Sequence, residues 1–172
     1  MFELAARRSV AQPPEWATRQ QALFDLFETA VDEFVDDYLD DEYEPFWPPE
    51  DHVGVDGYDD IIEGFYNWPL VYAMGGSESL LHHAQRAYEG ALARFERTDT
   101  PHGHPMVVDE FEQCRDWFHL GEGNLYVYNM GLAAPDDDVV AERAEKFADM
   151  YLGDCDLDNY DPDNRLVRAP MT

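Results

Sequence analysis

The sequence predicts an all-α fold of antiparallel αα-hairpins, with about five helices and long loops in one domain over residues 1–172. Three observations support this prediction. Apolar residues recur at helical spacing over several long segments, Gly and Pro separate these segments, and nearly all-apolar segments alternate with amphipathic ones. Stacked αα-hairpins bury a shared core in this way, with inner helices covered all round and outer helices half-exposed.

The leading helix is predicted at 16–39, directly after Pro13 and Pro14. Its apolar residues recur at intervals of three and four, which marks one face for the core. These residues are Leu23, Phe24, Phe27, Ala30, Val31, Phe34, Val35 and Tyr38. The segment 40–57 contains three prolines and two glycines and is predicted to be a loop.

The first hairpin is predicted at 58–97. Its inner helix, about 58–75, is apolar nearly all round, and Pro69 is expected to kink or restart it because proline removes a backbone hydrogen bond. Gly75 and Gly76 end this helix. The outer helix carries a single apolar stripe, formed by Leu80, Leu81, Ala84, Ala87, Tyr88, Ala91, Leu92 and Phe95.

The second hairpin is predicted at 117–152, with a nearly all-apolar inner helix at about 117–133. Its outer helix follows Pro135 and an acidic run, which interacts favourably with the positive end of the helix dipole. The apolar stripe of this outer helix, expected to face the core, is formed by Val140, Ala144, Phe147, Ala148 and Tyr151. The tail, 153–172, shows no helical period and is predicted to be irregular. The only strand candidate is the short apolar run 106–108.

A weak internal repeat supports this arrangement. The stretch that starts at Tyr72 reads YAMGGSESLL and the stretch that starts at Tyr128 reads YNMGLAAPDD, an offset of 128 − 72 = 56 residues. That spacing fits one αα-hairpin. One more period would place the next equivalent Tyr beyond Thr172, so the chain is expected to hold two hairpins and a leading helix, with no third hairpin.

The chain is strongly acidic, with 38 Asp and Glu, 11 Lys and Arg, and a formal net charge of −27. Nucleic acids and anionic membranes are excluded as partners because both are polyanions. No apolar stretch approaches the roughly 18 residues of a membrane span. Arg7 and Arg8 are not followed by the apolar run of an export signal, so a cytoplasmic location is expected.

The acidic residues are spread from Glu3 to Asp163, and Lys146 is the single lysine. In molar salt the Debye length falls to about 3 Å, which removes most of the self-repulsion. This composition resembles that of proteins from salt-in halophilic archaea. The alternative is an acidic surface for a basic partner or for calcium, but an EF-hand loop starting at Asp154 would need Gly and Glu where the chain has Asn159 and Arg165.

Three longer phrases carry a resemblance to a known architecture. They read DGYDDIIEGFYNWPLVYAMGG, DWFHLGEGNLYVYNMGLAAP and NYDPDNRLVRAP, and the region that contains them spans about 56–170. The set resembles the N-terminal part of longer (α/α)-toroid-like proteins, and the Y-x-M-G-G turn is similar to the inner-to-outer turn of (α/α)6 carbohydrate-active enzymes. The resemblance implies a toroid-type fold, incomplete here. It does not fix an activity.

The densest polar cluster contains the catalytic candidates Asp116, His119 and Glu122, at successive steps of three residues. Their side chains would lie on adjoining faces at one end of a helix. A His oriented by a carboxylate can act as a general base, and a Glu can act as an acid. The alternative is a structural role, in which Asp116 caps the helix by accepting hydrogen bonds from backbone N–H groups and His119 is a buried polar residue bound to a carboxylate.

Glu63, Tyr66, Asn67 and Trp68 occupy the corresponding position one repeat earlier. Aromatic rings beside Asn and Glu are typical of a sugar subsite, where they supply stacking and hydroxyl recognition. The alternative is that Tyr66 and Trp68 are core residues of a buried helix. His102 and His104 lack a third ligand at typical spacing, so neither a metal site nor a cofactor is predicted.

Two functional hypotheses follow. The first is a fragment of a carbohydrate-active toroid, similar to a glycoside hydrolase or lyase, with a saccharide or polyol ligand. The second is a noncatalytic helical module that pairs with another chain, or with a second copy, to cover the apolar inner helices at 61–75 and 125–133.

Overall fold

The computed structural model describes residues 12–46, 58–99, 103, 105–112, 117–154 and 160–167. These ranges are mostly helical, which confirms the all-α prediction. The helices are α1 (Glu15–Tyr38), α2 (Tyr58–Glu63), α3 (Trp68–Ala73), α4 (Glu78–Phe95), α5 (Trp117–Ala133) and α6 (Asp138–Leu152). Because α2 and α3 are two halves of one interrupted helix, the described chain contains about five helices, as predicted.

The interruption between α2 and α3 lies at Gly64–Asn67, and Pro69 occupies the first turn of the restarted helix. Proline fits there because the first N–H groups of a helix have no acceptor within it. The turn also lets α1 approach closely, since a Cβ on Gly64 would lie 3.0 Å from the ring of Phe34. The expected restart at Pro69 is therefore confirmed.

Two short antiparallel ladders accompany the helices. Strand β1 (Val107–Val108) pairs with β2 (Phe111–Glu112), and β3 (Tyr160–Asp161) pairs with β4 (Leu166–Val167). The first ladder falls on the strand candidate at 106–108. The second corrects the prediction of a wholly irregular tail over 153–172.

The β3–β4 turn is held by a single carboxylate. Asp161 accepts hydrogen bonds from the backbone N–H groups of Asp163 (3.0 Å) and Asn164 (3.1 Å), and Arg165 adopts a positive φ of 57°. Side-chain capping of this kind sets a turn locally. Such a turn produces no recurring spacing of apolar residues. The apolar spacing in the sequence therefore did not reveal this hairpin.

The core forms where the inner helices meet. Helix α5 packs against α2, α3 and α6, while α3 also packs against α4. The rings of Tyr88 in α4 and Tyr126 in α5 stack in parallel with centroids 4.1 Å apart, and Phe65 contacts Tyr126 edge-on at 5.8 Å. The inner helices α2–α3 and α5 thus lie side by side, with α4 and α6 outside them.

Helix α1 begins this row and is only partly covered. Phe24 and Val31 are buried, and Phe34 packs edge-on against Trp68 with centroids 5.4 Å apart. Leu23, Ala30 and Tyr38, which the periodicity assigned to the core face, are exposed. The apolar face of α1 is therefore wider than the part of it that α3 and α4 cover.

The loop after α1 is fixed against α4 by a close backbone approach. Tyr43 adopts a positive φ of 66°, and a Cβ built on Gly90 would lie 2.0 Å from the Tyr43 carbonyl oxygen. Only glycine allows the helix and the loop to come this close. By contrast, a Cβ on Gly131 of α5 would meet nothing within 4 Å.

These two glycines give a matched pair of variants. We expect Gly90→Ala to lower the free energy of unfolding by at least about 1–3 kcal/mol, because the loop backbone must move to admit a methyl group. Gly131→Ala should raise it by up to about 1 kcal/mol, because alanine is the better helix former and the methyl group has space. Thermal denaturation followed by circular dichroism measures both changes, and equal effects would contradict the close approach at Gly90.

Candidate functional site

A groove runs between α5 and α6 and encloses about 680 Å³. Its lining is almost entirely apolar and comes from both helices in equal number: Asn124, Val127, Tyr128, Gly131 and Leu132 from α5, and Ala144, Phe147, Ala148, Tyr151 and Leu152 from α6. We call this cavity the α5–α6 groove. Its volume falls in the range typical of ligand and peptide sites in proteins.

The groove is lined by both buried and exposed apolar side chains. Phe147 and Val127 are buried, whereas Tyr128, Leu132 and Leu152 remain 60%, 66% and 62% exposed. Large apolar side chains exposed to this degree on adjacent turns leave a continuous uncovered surface. Contiguous surfaces of this kind mark binding sites in soluble proteins.

The local sequence explains how α6 is held beside α5. The Asp137 carboxylate caps α6 by accepting a hydrogen bond from the Val139 backbone N–H at 2.9 Å, and Gly153 ends the helix in the left-handed conformation with φ 78°. These two signals set the bounds of α6. The short Ala134–Asp137 connection then places the two helices side by side, with Ala144 and Ala148 facing Gly131 across the groove.

The groove has one polar end, where Asn124 and Tyr151 meet. Asn124 is buried, with 2% of its surface exposed, and its side-chain amide donates a hydrogen bond to the Tyr151 hydroxyl. Burial raises the pKa of Tyr151, and nearby Tyr128 adds to this effect, while the Asn124 hydrogen bond opposes it. Tyr151 therefore stays neutral at ordinary pH, and its hydroxyl remains a hydrogen-bonding group.

The predicted catalytic residues fall at the edge of what the structure describes. Asp116 lies outside the described residues. The backbone of His119 and Glu122 belongs to α5, but their side chains lie outside the described part. The proposed acid–base cluster therefore stays a prediction.

The predicted substrate-binding residues are not brought together as a sugar subsite. Trp68 is 3% exposed and packs against Phe34 and Phe65, so its ring is a core element, and its assignment as a stacking residue is corrected by this burial. Tyr66 is half-buried, and its carbonyl oxygen accepts a hydrogen bond from the Asn129 side chain at 2.8 Å. Glu63 and Asn67 are exposed.

His102 and His104, for which no metal site was predicted, lie outside the described residues. Among the residues that are described, no three His, Cys, Asp or Glu side chains converge as a metal site. None of the helices in the described ranges combines the length and apolar character needed to cross a bilayer.

A second polar cluster surrounds Arg143 of α6, which is not among the residues that line the groove. The Arg143 guanidinium binds the carboxylates of Glu110 (2.5 Å) and Glu89 (2.8 Å) and lies over the ring of Tyr88 at 4.5 Å. Lys146 binds Asp109 at 2.6 Å. These contacts join α4, α6 and the β1–β2 turn.

The turn that supplies these carboxylates is strained. Asp109 and Glu110 have φ values of 52° and 71°, a type I′ arrangement that usually requires Asn or Gly. Ion pairs with Arg143 and Lys146 compensate this strain, which indicates a structural role for the cluster. The Tyr126 hydroxyl behind it is buried without a hydrogen-bond partner in the described structure, and burial raises its pKa well above the ordinary value.

A third cluster joins α1, α4 and the loop after α1. The Tyr43 hydroxyl and His83 Nδ1 are 2.8 Å apart, His83 Nε2 lies 3.4 Å from an Asp32 carboxylate oxygen, and Arg86 lies over the Tyr43 ring at 4.1 Å. Desolvation lowers the pKa of His83, opposed by the Asp32 charge and reinforced by His82 and Arg86. Neutral His83 thus helps to hold the loop on α4.

The residues of the α5–α6 groove were not recognised as a site from sequence. Ala144, Phe147 and Tyr151 were assigned to a core stripe, because their spacing shows that one face of α6 is apolar. One feature of the sequence could have revealed the groove: α5 is apolar on nearly all sides. Its apolar surface is larger than the area that the neighbouring helices cover.

A family model described as a domain of unknown function, DUF8034, matches residues 3–172, and the chain therefore belongs to this family. No curated protein and no solved structure matches the chain.

The His83 cluster predicts a pH-dependent stability. Because the pKa of His83 is lower in the folded protein than its ordinary value of 6.5, the unfolded chain takes up a proton first as the pH falls, and the folded state loses stability. We expect the melting temperature to fall between about pH 7.5 and pH 5.5, and His83→Gln to reduce that slope.

The neighbouring histidine provides the control. His82 is exposed on the same helix, so His82→Gln should retain most of the slope. Differential scanning calorimetry at constant ionic strength measures both variants. Identical pH profiles for His83→Gln and the unchanged protein would contradict the role assigned to His83.

Proposed function

We propose that this member of the family is a noncatalytic helix-binding module whose α5–α6 groove receives a helix from a partner chain. The observation that supports it is the apolar groove of about 680 Å³ with three large exposed side chains among its lining residues. An apolar groove between two helices is a recurrent binding site for an amphipathic helix.

The exposed apolar side chains of this groove would contribute to binding when a partner helix buries them. Burying a Leu or aromatic side chain stabilises a complex by about 1.5–3 kcal/mol before the costs of association are counted. Tyr128, Leu132 and Leu152 are all available for such burial. The small side chains of Ala144 and Ala148 leave space between them for the apolar residues of an incoming helix.

A helix fits this groove better than a saccharide does. Sugar recognition requires several polar groups that point into the site. The polar groups among the lining residues are Asn124 and the hydroxyls of Tyr128 and Tyr151, and Asn124 and Tyr151 already bind each other. The burial of Trp68 removes the ring that was expected to stack on a sugar. The carbohydrate-active toroid therefore receives less support than the helix-binding module.

We also propose that the protein is adapted to molar salt. With a net charge of −27, the folded chain repels itself strongly in dilute buffer. The outer surface of α1 shows why: Glu33, Asp36 and Asp37 are exposed on neighbouring turns. Screening by salt shortens the range of this repulsion to a few ångströms.

The binding proposal can be tested with a synthetic 20-residue amphipathic helix that carries a Leu and Ala stripe and Gln on its polar faces. We expect this uncharged helix to bind the protein in molar KCl, and Leu132→Glu to weaken binding by at least about tenfold because it removes one buried leucine. Fluorescence anisotropy of the labelled helix measures the dissociation constants.

Leu23→Glu is the matched control, because Leu23 is as exposed as Leu132 but lies on α1. This variant should bind the helix as the unchanged protein does. Absence of binding, or equal weakening by both variants, would count against the helix-binding module.

The salt proposal predicts that the melting temperature rises with KCl concentration up to molar levels. In a chain of this size, each kcal/mol gained corresponds to about 2–4 °C. Replacement of Glu33, Asp36 and Asp37 by Gln and Asn should reduce the slope, since fewer charges then need screening. Sucrose at equal osmolality serves as the uncharged control, and a melting temperature that does not respond to KCl would refute the adaptation.

A further inference from the structure

We infer that Asn124 selects the helix that the α5–α6 groove binds: the partner helix carries one uncharged amide side chain, Gln or Asn, in an otherwise apolar stripe and places it against Asn124. This inference rests on the proposed helix-binding function and adds the chemistry of the partner. It follows from a hydrogen-bonding side chain that is buried at the groove and only partly paired.

The described residues satisfy only part of the hydrogen-bonding capacity of Asn124. A side-chain amide has two N–H donors and a carbonyl oxygen that can accept two hydrogen bonds. Within the described part of the chain, the Asn124 amide makes one side-chain hydrogen bond, to the Tyr151 hydroxyl. Yet Asn124 is only 2% exposed, and it lines the groove. The amide therefore retains a donor and an acceptor for a group that enters the groove.

The hydroxyl of Tyr151 holds this amide in position. Tyr151 belongs to α6 and Asn124 to α5, so their hydrogen bond joins the two helices that form the groove. One hydroxyl cannot use both the donors and the acceptor of an amide. The contact thus orients Asn124 without satisfying it.

A wholly apolar partner helix would leave the remaining capacity of Asn124 unmet. Such a helix excludes solvent from the groove, and a polar group that is left unpaired on burial lowers affinity by about tenfold. A helix that brings its own amide avoids this loss, because two amides can each donate to and accept from the other. The buried amide therefore favours a partner with a matching amide.

The matching group is expected to be uncharged. Within the described structure, the lining of the groove contains no Asp, Glu, Lys, Arg or His side chain. A charged partner side chain would lose its hydration there without gaining an ion pair, which is costly. Gln and Asn make hydrogen bonds without this cost.

The position of Asn124 also specifies how the partner helix lies. Asn124 and Tyr151 are at one end of the groove, whereas Leu132 and Ala144 are nearer the connection between α5 and α6. Asn124 precedes Leu132 by eight residues, which is about 12 Å along α5. A single buried polar pair sets the register of packed helices, as one Asn does in a coiled coil. The amide of the partner is therefore expected at one end of the part of its stripe that the groove covers.

The test compares versions of the labelled model helix in molar KCl. One version keeps the complete leucine stripe. In the others, each stripe leucine is replaced in turn by glutamine or by methionine, which has the same length but cannot form the amide hydrogen bonds. Fluorescence anisotropy gives the dissociation constants. The preference for glutamine is the constant of the methionine helix divided by that of the glutamine helix at the same position.

We expect Asn124→Leu to lower this preference by about threefold to tenfold at the position that meets residue 124, because leucine has a similar volume but no hydrogen-bonding group. The same variant should bind the leucine helix at least as tightly as the unchanged protein does. Tyr151→Phe should retain most of the preference, because the Asn124 amide is still present. Circular dichroism verifies folding, and Asn124→Ala, which also lacks the amide, takes the place of Asn124→Leu if that variant is unfolded.

Leu132→Met is the control at the apolar end of the groove. It changes the packing surface and removes no hydrogen-bonding group, so the preference for glutamine should remain as in the unchanged protein.

The contrary outcomes are distinct. If the leucine helix binds but Asn124→Leu keeps the preference for glutamine at every position, or Leu132→Met lowers it equally, the selecting role of Asn124 is wrong and the helix-binding module stands. If no version of the helix binds the unchanged protein, the proposed function is contradicted, and the inference falls with it.

Discussion

The stack of Tyr88 on Tyr126 is the contact on which the rest of the fold depends. The two rings lie 4.1 Å apart and nearly parallel, one from an outer helix and one from an inner helix. On one side Phe65 packs edge-on against Tyr126, and on the other the Arg143 guanidinium covers Tyr88. Three helices, the turn between α2 and α3, and the β1–β2 turn therefore converge on two rings. Aromatic rings contribute large buried areas and fixed geometry, which suits this central position.

This arrangement fixes which side of α5 remains uncovered. Tyr126 directs one side of the helix into the core, and Asn129 binds the Tyr66 carbonyl on the side of α2–α3. Tyr128 and Leu132 consequently point away from these neighbours, where α6 covers them only in part. The groove is thus a direct result of core packing. Its apolar character follows from an apolar inner helix whose surface is covered only in part by α2, α3 and α6.

The helices could be predicted from sequence, because apolar spacing and Gly or Pro breaks determine them locally. The restart at Pro69 could be predicted for the same reason, because proline interrupts a helix through its own backbone chemistry. The spacing could not show whether a neighbour covers an apolar face, so Leu23 and Tyr151 were both assigned to the core although one is exposed and the other lines a groove. The sequence pattern also placed Trp68 in a sugar subsite, because aromatic residues are found both in cores and in binding sites. Only tertiary contacts distinguish these cases.

The Arg143 cluster has a consequence for the order in which the chain acquires its structure during synthesis. Arg143 binds Glu110 and Glu89, which precede it by 33 and 54 residues. The strained turn at Asp109 and Glu110 gains these compensating ion pairs only when α6 has been made and has docked. Until then the outer face of Tyr88 lacks its cationic cover. Helix α6, the last of the described helices to be synthesised, therefore completes the packing of rings and charges around Tyr88.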